Sequence, residues 1–210
     1  MATKSEQAQK MVLTVLQSET VAMMKPFMMT TKVKFDPVEF GTLVADISLG
    51  YVQVKFERAS KGTVSGSSVA FYDSIDDAML FNFVDPFSTT LQGLIIHEAT
   101  HALCDRNSYS MDIGESESMA YIAQCQYGWL KMPAGKRLGG GAMDGIDPLD
   151  QVFAQGWTIA ENLLNGLEKG DAPLHPMYLH PMRKAVNVHP TYKDQITIRS
   201  IFNGLKRKPK

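Results

Sequence analysis

Several features that would assign this chain to a special class of protein are scarce or missing. Only two cysteines, Cys104 and Cys125, occur in 210 residues, which is too few for a disulfide scaffold, so a hydrophobic core must stabilise the fold. No apolar run approaches the roughly 18 residues that cross a membrane. The formal net charge is −1, which gives no indication of a polyanion-binding surface. We therefore expect neither nucleic acid nor membrane as a partner.

The N-terminus also lacks the marks of a secretory signal. Residues 1–17 show no charged region followed by an apolar core and a small-residue cleavage site. We expect a cytoplasmic protein, or one exported without a cleavable signal peptide, although a chain whose signal had been removed would look the same. Apolar residues make up 44% and charged residues 20%, and this length allows one domain with a sizeable core.

Hydrophobic periodicity predicts an α+β fold in four parts. They are an N-terminal helix within 1–30, a core over 31–133, a glycine-rich loop at 134–147, and a helical C-terminal subdomain over 148–210 that packs on the core. The first helix covers 5–25 and ends at Pro26. The third long helix covers 148–168, whereas the His-Pro pairs of 171–192 favour irregular or extended chain.

Within the core, alternating residues predict strands before a pair of helices. The strands fall at 31–35 and 50–56, followed by a hairpin of 68–72 and 78–84. The first helix of the pair begins at Thr89, with Gln92 completing a capping box, and ends at about Asp105 or Arg106. The second covers about 115–131.

The chemistry is concentrated in the segment His97-Glu98-Ala99-Thr100-His101. Residues four apart lie on one face of a helix, so both imidazoles can reach one metal ion. Glu98 is rotated by about 100° from His97, which places its carboxylate beside an open position on the metal. The alternative is a pair of core histidines with ordinary polar partners.

A catalytic zinc ion needs three protein ligands and a water, so a third ligand must come from elsewhere. Cys104 and Asp105 lie too far along the helix, since Cys104 is about 10.5 Å from His97 in axial rise. The next helix offers Glu115 and Glu117. Small residues beside Glu117 allow that helix to pack closely on the first, whereas Glu115 is expected to face solvent or to join the helix cap.

These residues resemble the gluzincin metallopeptidases. In that group the third ligand is a glutamate on the following helix with an alanine three residues later, which Glu117 and Ala120 match. An acid or asparagine usually follows at the next position and orients a histidine ligand, but this chain has Tyr121 there. The resemblance covers about residues 67–131.

The resemblance implies a small zincin-like domain, with a short antiparallel or mixed sheet before the active-site helix and a mainly helical part after it. It also implies one Zn²⁺ per chain, bound by His97, His101 and Glu117. The strand before the active-site helix would pair with an extended substrate, and this role falls to residues 78–84. Cys104 and Cys125 are expected at the seam between the two helices, packed as small apolar groups.

The sequence thus predicts zinc-dependent hydrolysis of a peptide bond in a peptide or protein substrate, with Glu98 as the general base. The donor to the developing oxyanion stays open among Tyr121, Tyr178, Tyr192 and the C-terminal histidines His175, His180 and His189. A closed structural zinc site would require a fourth ligand. The other alternative is a metallopeptidase-like binding module without turnover. Substrate preference and oligomeric state are not determined.

Overall fold

The computed structural model of the protein describes residues 2–57, 69–86, 88–133, 150–193, 195 and 198–206. Over these residues the fold is a mixed α+β arrangement, as the sequence predicts. Its elements, in chain order, are α1 (Lys4–Leu16), α2 (Glu19–Met23), β1 (Phe27–Thr30), β2 (Val33–Phe35), α3 (Glu39–Ser48), β3 (Gln53–Phe56), β4 (Ala70–Asp73), β5 (Ala78–Phe81), α4 (Thr89–Arg106), α5 (Ile113–Lys131), α6 (Gln151–Leu164) and α7 (Pro176–Val188).

The strands form two small sheets. β1 and β2 make an antiparallel hairpin in which the rings of Phe27 and Phe35 stack with centroids 5.0 Å apart. The second sheet has the order β3–β5–β4, with β5 parallel to β3 and antiparallel to β4. The predicted hairpin of β4 and β5 is confirmed. The expectation that 78–84 pairs with substrate is wrong for β5, because that strand is paired on both sides.

The N-terminal part differs from the predicted single helix over 5–25. α1 begins with a capping box in which Thr3 and Glu6 each accept a backbone N–H of the other. It ends at Leu16, and a short second helix follows. The helix α3 was missed between the predicted strands, although its apolar side shows helical spacing at Phe40, Leu43 and Ile47, all of which are buried.

The helix α4 carries the histidine motif through the middle of the molecule. Its buried residues run almost without interruption from Gly93 to Asp105, as expected of a helix that is surrounded by protein. The cap is Ser88, whose hydroxyl accepts the N–H of Leu91 at 3.2 Å. The predicted capping box at Thr89 therefore lies one residue too late, whereas the predicted end of the helix is confirmed.

The C-terminal helices cover α4 on one side. α5 packs against both α4 and α6, and α7 packs against α5 and α6. The two cysteines are buried and free, but they lie in different seams. Cys104 Sγ is 3.8 Å from Met119 Sδ between α4 and α5. Cys125 Sγ is 3.9 Å from the Phe153 carbonyl oxygen on α6, so its predicted place beside α4 is wrong.

The prediction of irregular chain over 171–192 is also wrong, because α7 occupies most of it. Pro176 stands in the first turn, where its missing N–H has no intrahelical partner to lose. His175 caps the helix by accepting the N–H of Met177 at 3.2 Å. Pro181 lies inside the helix and forfeits one hydrogen bond. Burial of the apolar side outweighs that loss, with Met182, Ala185 and Val186 in the core.

The predicted glycine-rich loop at 134–147 lies outside the described residues, and the division into domains stays a prediction. One hydrophobic cluster extends from residues of α1 to residues of α7, so the N-terminal and C-terminal parts share a core. Among the helices of the described ranges, none is long and apolar enough to cross a membrane.

We expect Gly156→Ala to destabilise the protein. A Cβ at this position on α6 would stand 2.9 Å from Cys125 Sγ and 3.5 Å from the Tyr121 carbonyl oxygen. Overpacking of this kind costs about 1–3 kcal/mol, which exceeds the gain of about 1 kcal/mol that alanine brings in helix propensity. Denaturant unfolding should give a lower free energy of unfolding than the wild type.

The control for that variant is Gly41→Ala on α3, where a Cβ would meet no atom within 4 Å. The helix-propensity gain should act alone there and raise the free energy of unfolding by about 0.5–1 kcal/mol. An equal stabilisation in both variants would contradict the close approach of α5 and α6.

Candidate metal centre

Three side chains from α4 and α5 meet at one point in the interior. His97 Nε2 and His101 Nε2 lie 3.2 Å apart. Glu117 places Oε2 at 3.2 Å from His97 Nε2 and Oε1 at 3.4 Å from His101 Nε2. One donor atom from each residue lies within 4.8 Å of the others, and the group could hold a metal ion. The structure therefore brings together the three residues that the sequence reasoning selected.

The spacing of the two imidazole nitrogens fits a small tetrahedral ion. Zinc binds imidazole nitrogen and carboxylate oxygen at about 2.0–2.2 Å, so donors at tetrahedral angles lie about 3.3 Å apart. The two Nε2 atoms, 3.2 Å apart, match this value, and each has a different oxygen of Glu117 next to it, at 3.2 Å from His97 and 3.4 Å from His101. Glu117 Oε2 is also buried without a well-formed hydrogen bond among the described residues. A cation between the three side chains would satisfy that oxygen.

The outer nitrogen of each histidine has a partner on α5. His97 Nδ1 lies 3.1 Å from Gln124 Oε1, and His101 Nδ1 lies 2.9 Å from Ser116 Oγ. A proton on His97 Nδ1 can be donated to the amide oxygen, which leaves Nε2 with a free lone pair on the ligand side. Hydrogen bonds of this kind fix the orientation of an imidazole that binds a metal ion.

The sequence reasoning missed Gln124 and Ser116. A usable signal existed, because both are polar residues on the helix that also supplies Glu117. Gln124 lies two turns beyond Glu117, and Ser116 directly precedes it. Only the packing of α5 on α4, however, shows which polar side chains of α5 reach the imidazoles. Glu115 does not join the centre, because its carboxylate pairs with Arg183 at 3.3 Å.

The charge states of the three residues suit a cation. Burial by itself would raise the pKa of Glu117, but the charges of His101 and His97 outweigh burial and hold it at about 2. Burial lowers the pKa of His101 to about 4. Burial also disfavours the charged form of His97, but the adjacent carboxylate of Glu117 raises its pKa above the ordinary value. At neutral pH the group therefore combines an ionised carboxylate with at least one neutral imidazole.

Glu98 follows the first histidine and lies on the side of α4 that faces β4. It is only 5% exposed, and burial raises its pKa to about 7 against the opposing charge of His97. Its carboxylate accepts a hydrogen bond from the backbone N–H of Tyr72 on β4. A carboxyl group that titrates near neutral pH can both accept and return a proton, which is the requirement for a general base.

Two of the tyrosines that the sequence left open reach the centre. The ring of Tyr121 packs edge-on against His97 with centroids 4.6 Å apart. Its hydroxyl lies 3.2 Å from the hydroxyl of Tyr192, which also hydrogen-bonds Glu117. The other candidates stand apart from this contact. Tyr178 packs on the core from α7, while His175 and His180 are exposed on that helix.

His189 lies closer to the centre than the exposed histidines, since its ring lies 5.3 Å from the ring of Tyr192. It therefore contacts the tyrosine pair without reaching the three ligands. Among its described residues, the C-terminal part of the chain thus contributes the Tyr192 hydroxyl to the immediate surroundings of the metal group.

A strap formed by residues 198–206 closes the other end of the site. The backbone N–H groups of Asn203 and Gly204 donate to Asp105 Oδ1 at 2.8 and 3.1 Å, and the Tyr72 hydroxyl donates to Oδ2 at 2.8 Å. Phe202 brings its ring to within 6.5 Å of the ring of His101. Asp105, at the end of α4, therefore connects the strap to β4.

Comparisons of the chain with protein-family models, with curated proteins and with solved structures give no match. The positions and chemistry of the residues in the centre itself are therefore the basis for assigning a function.

We expect Ser116→Ala and Gln124→Leu each to weaken zinc binding. Either change removes the group that orients one imidazole, and losses of this kind typically cost about 10–100-fold in metal affinity. The measurement is competition for zinc against a chelating indicator dye, carried out on the folded apoprotein.

Ser118→Ala is the matched control on the same helix. Its hydroxyl is buried and donates to the carbonyl oxygen of Gly114, within α5 itself, at 2.6 Å. The zinc affinity of this variant should stay within about twofold of the wild type. An equal loss in Ser116→Ala and Ser118→Ala would contradict the orienting role of Ser116.

Proposed function

We propose that the chain is a zinc-dependent peptidase with a zincin-like active site. The observation that carries this proposal is the arrangement of four side chains. His97, His101 and Glu117 present donor atoms within 4.8 Å of one another, and Glu98 stands beside them with a pKa near 7. This combination is the one that the resemblance to gluzincins implies, with His97, His101 and Glu117 as ligands and Glu98 as the base.

The number of donors supports a catalytic site over a closed structural one. Within the described residues the group has three members, and Cys104 and Asp105 are not among them. Structural zinc sites are almost always filled by four protein ligands, whereas catalytic sites combine three with a water. A closed site would also leave the buried carboxylate of Glu98 without a function.

When bound, zinc would polarise the scissile carbonyl and lower the pKa of an attacking water. Residues of the protein transfer the proton and position the reacting groups. Glu98 accepts the proton of that water and delivers it to the leaving amine, a transfer that its pKa near neutrality permits in both directions. Gln124 and Ser116 hold the two imidazoles in place. The Tyr72 N–H holds the Glu98 carboxylate toward the reaction site.

Tyr192 is the best-placed donor to the developing oxyanion. Its hydroxyl belongs to the pair with Tyr121, 3.2 Å between oxygens, and burial together with the charge of Glu117 raises its pKa. A tyrosine with a raised pKa keeps its proton and can donate a hydrogen bond as negative charge develops on the substrate. Tyr121 is packed against His97 and pairs with this hydroxyl.

The sheet supports an extended peptide as the substrate. β4 is the last strand of its sheet and pairs, in the described part of the chain, with β5 alone. The N–H of Tyr72 points away from β5 toward Glu98, so the outer edge of β4 borders the active site. Edge strands bind extended peptides through backbone hydrogen bonds. This role belongs to β4 in place of the strand that the sequence suggested.

The rival is a metallopeptidase-like module that binds a metal or a peptide without turnover. It shares the ligands but has no need for Glu98, because a non-catalytic site requires no general base. The retained Glu98 therefore favours the enzyme.

The first test measures zinc per chain and peptide hydrolysis in the same preparations. Wild type should hold one zinc and cleave a quenched-fluorescence peptide library. Glu98→Gln should keep the zinc and lose turnover by about 10²–10⁴-fold. Glu117→Ala should lose both, since it removes a ligand, whereas its neighbour variant Glu115→Ala should keep the zinc. A Glu98→Gln protein with wild-type turnover would refute the mechanism, and a zinc-loaded wild type that cleaves nothing would favour the binding module.

Tyr192→Phe tests the oxyanion donor. Loss of one such donor costs about 10²–10³-fold in kcat, and we expect this decrease with little change in KM or in zinc content. Tyr178→Phe, the same chemical change elsewhere in the C-terminal region, serves as the control and should retain wild-type kcat. If kcat is unchanged in Tyr192→Phe, the donor is another group.

A further inference from the structure

A cavity lies near the pair of Tyr121 and Tyr192, between the start of α6 and the end of α7. Its volume is about 280 Å³, and it is lined by Asp150, Val152, Ala185, Val188, His189 and Pro190 among others. An apolar cavity of about 150 Å³ is enough to hold benzene. This cavity is therefore large enough to receive one long side chain.

One wall of the cavity is linked to the metal centre through aromatic residues. On the α7 side, the lining residue His189 contacts the ring of Tyr192 at 5.3 Å, and the Tyr192 hydroxyl hydrogen-bonds Glu117. On the α6 side, Val152 lines the cavity, and the residue after it, Phe153, has its ring 5.2 Å from that of Tyr121. His189 and Tyr192 thus lie between the cavity and the proposed site of bond cleavage.

The walls combine apolar surface with the carboxylate of Asp150, the amide of Gln151 and the imidazole of His189. Val152 and Ala185 are buried, whereas Val188 leaves 64% of its surface exposed at the end of α7. Asp150 caps α6 through Oδ1, which accepts the N–H of Val152 at 2.9 Å. Within the described part of the chain, Asp150 forms no salt bridge with a lysine or arginine. Its full negative charge exceeds the partial positive charge at the helix N-terminus.

We propose that this cavity is a substrate subsite that receives a lysine or arginine side chain, with its methylene stem against the apolar walls and its cationic end at Asp150. Long basic side chains bury their stems along apolar surface while they keep the charged end paired or solvated. An acidic side chain would be repelled by Asp150, and a short side chain would leave the cavity unfilled. This inference rests on the proposed peptidase function and specifies its substrate.

The test uses full-length, zinc-loaded Glu98→Gln protein, which should hold peptides without cleaving them. The probes are fluorescently labelled alanine-based hexapeptides that carry one lysine at each position in turn. A matched set carries norleucine, which keeps the stem and removes the charge. At one position the lysine peptide should bind about 5-fold more tightly than its norleucine partner, the upper range for a partly exposed ion pair.

Asp150→Asn, introduced into the same background, isolates the charge. Asparagine caps helices as well as aspartate does, so the fold should be kept while the preference for lysine falls to about onefold. Asp171→Asn removes the same charge from an exposed site near the other end of α6, about 20 Å away, and should leave the preference unchanged.

The outcomes separate the two proposals. A ratio near one in the parent protein, an unchanged ratio in Asp150→Asn, tighter binding of norleucine, or no binding of any hexapeptide would overturn the subsite. A preference for lysine that depends on Asp150, without cleavage of the same peptides by wild-type protein, would support the subsite and refute the peptidase. Cleavage at one fixed distance from lysine in the wild type would support both.

Discussion

The packing of α5 on α4 is the contact on which the rest of the centre depends. Two imidazoles one turn apart on a buried helix present four ring nitrogens, and each buried nitrogen needs a partner. α5 supplies Gln124 and Ser116 to the two Nδ1 atoms and the carboxylate of Glu117 to the two Nε2 atoms. The Nε2 atoms also face each other at 3.2 Å, a position that a proton or a metal ion between them would stabilise.

The second layer of the site comes from later parts of the chain. Tyr121 contacts His97 on one side and Phe153 of α6 on the other. Tyr192 contacts Tyr121 and lies between Glu117 and the end of α7. Both chains of contact are aromatic, so they bury large areas with few rotatable bonds. A charged ligand set is thereby held between rigid rings. One of these rings, Tyr192, also contacts His189, which lines the cavity between α6 and α7.

The sequence was most informative where a function imposes spacing. The separation of His97 and His101 and the register of Glu117 identified the three residues that meet, because a helix fixes which side chains share a face. Gln124 and Tyr192 could not be identified in this way, since their roles depend on the angle at which other helices pack. The helix α7 was misjudged because His-Pro pairs favour extended chain locally, whereas burial of its apolar side decides the outcome.

The strap of residues 198–206, which contacts the helix that carries the histidines, is synthesised late. The proposed ligands lie within residues 97–117. Asp105, at the end of the same helix, accepts hydrogen bonds from two backbone N–H groups that lie 98 and 99 positions later in the chain. A nascent chain that has released only α4 and α5 carries a buried carboxylate that lacks these donors. On a ribosome adding about 5–20 residues per second, that interval lasts several seconds. The two backbone donors of Asp105 are therefore available only after most of the chain has been synthesised.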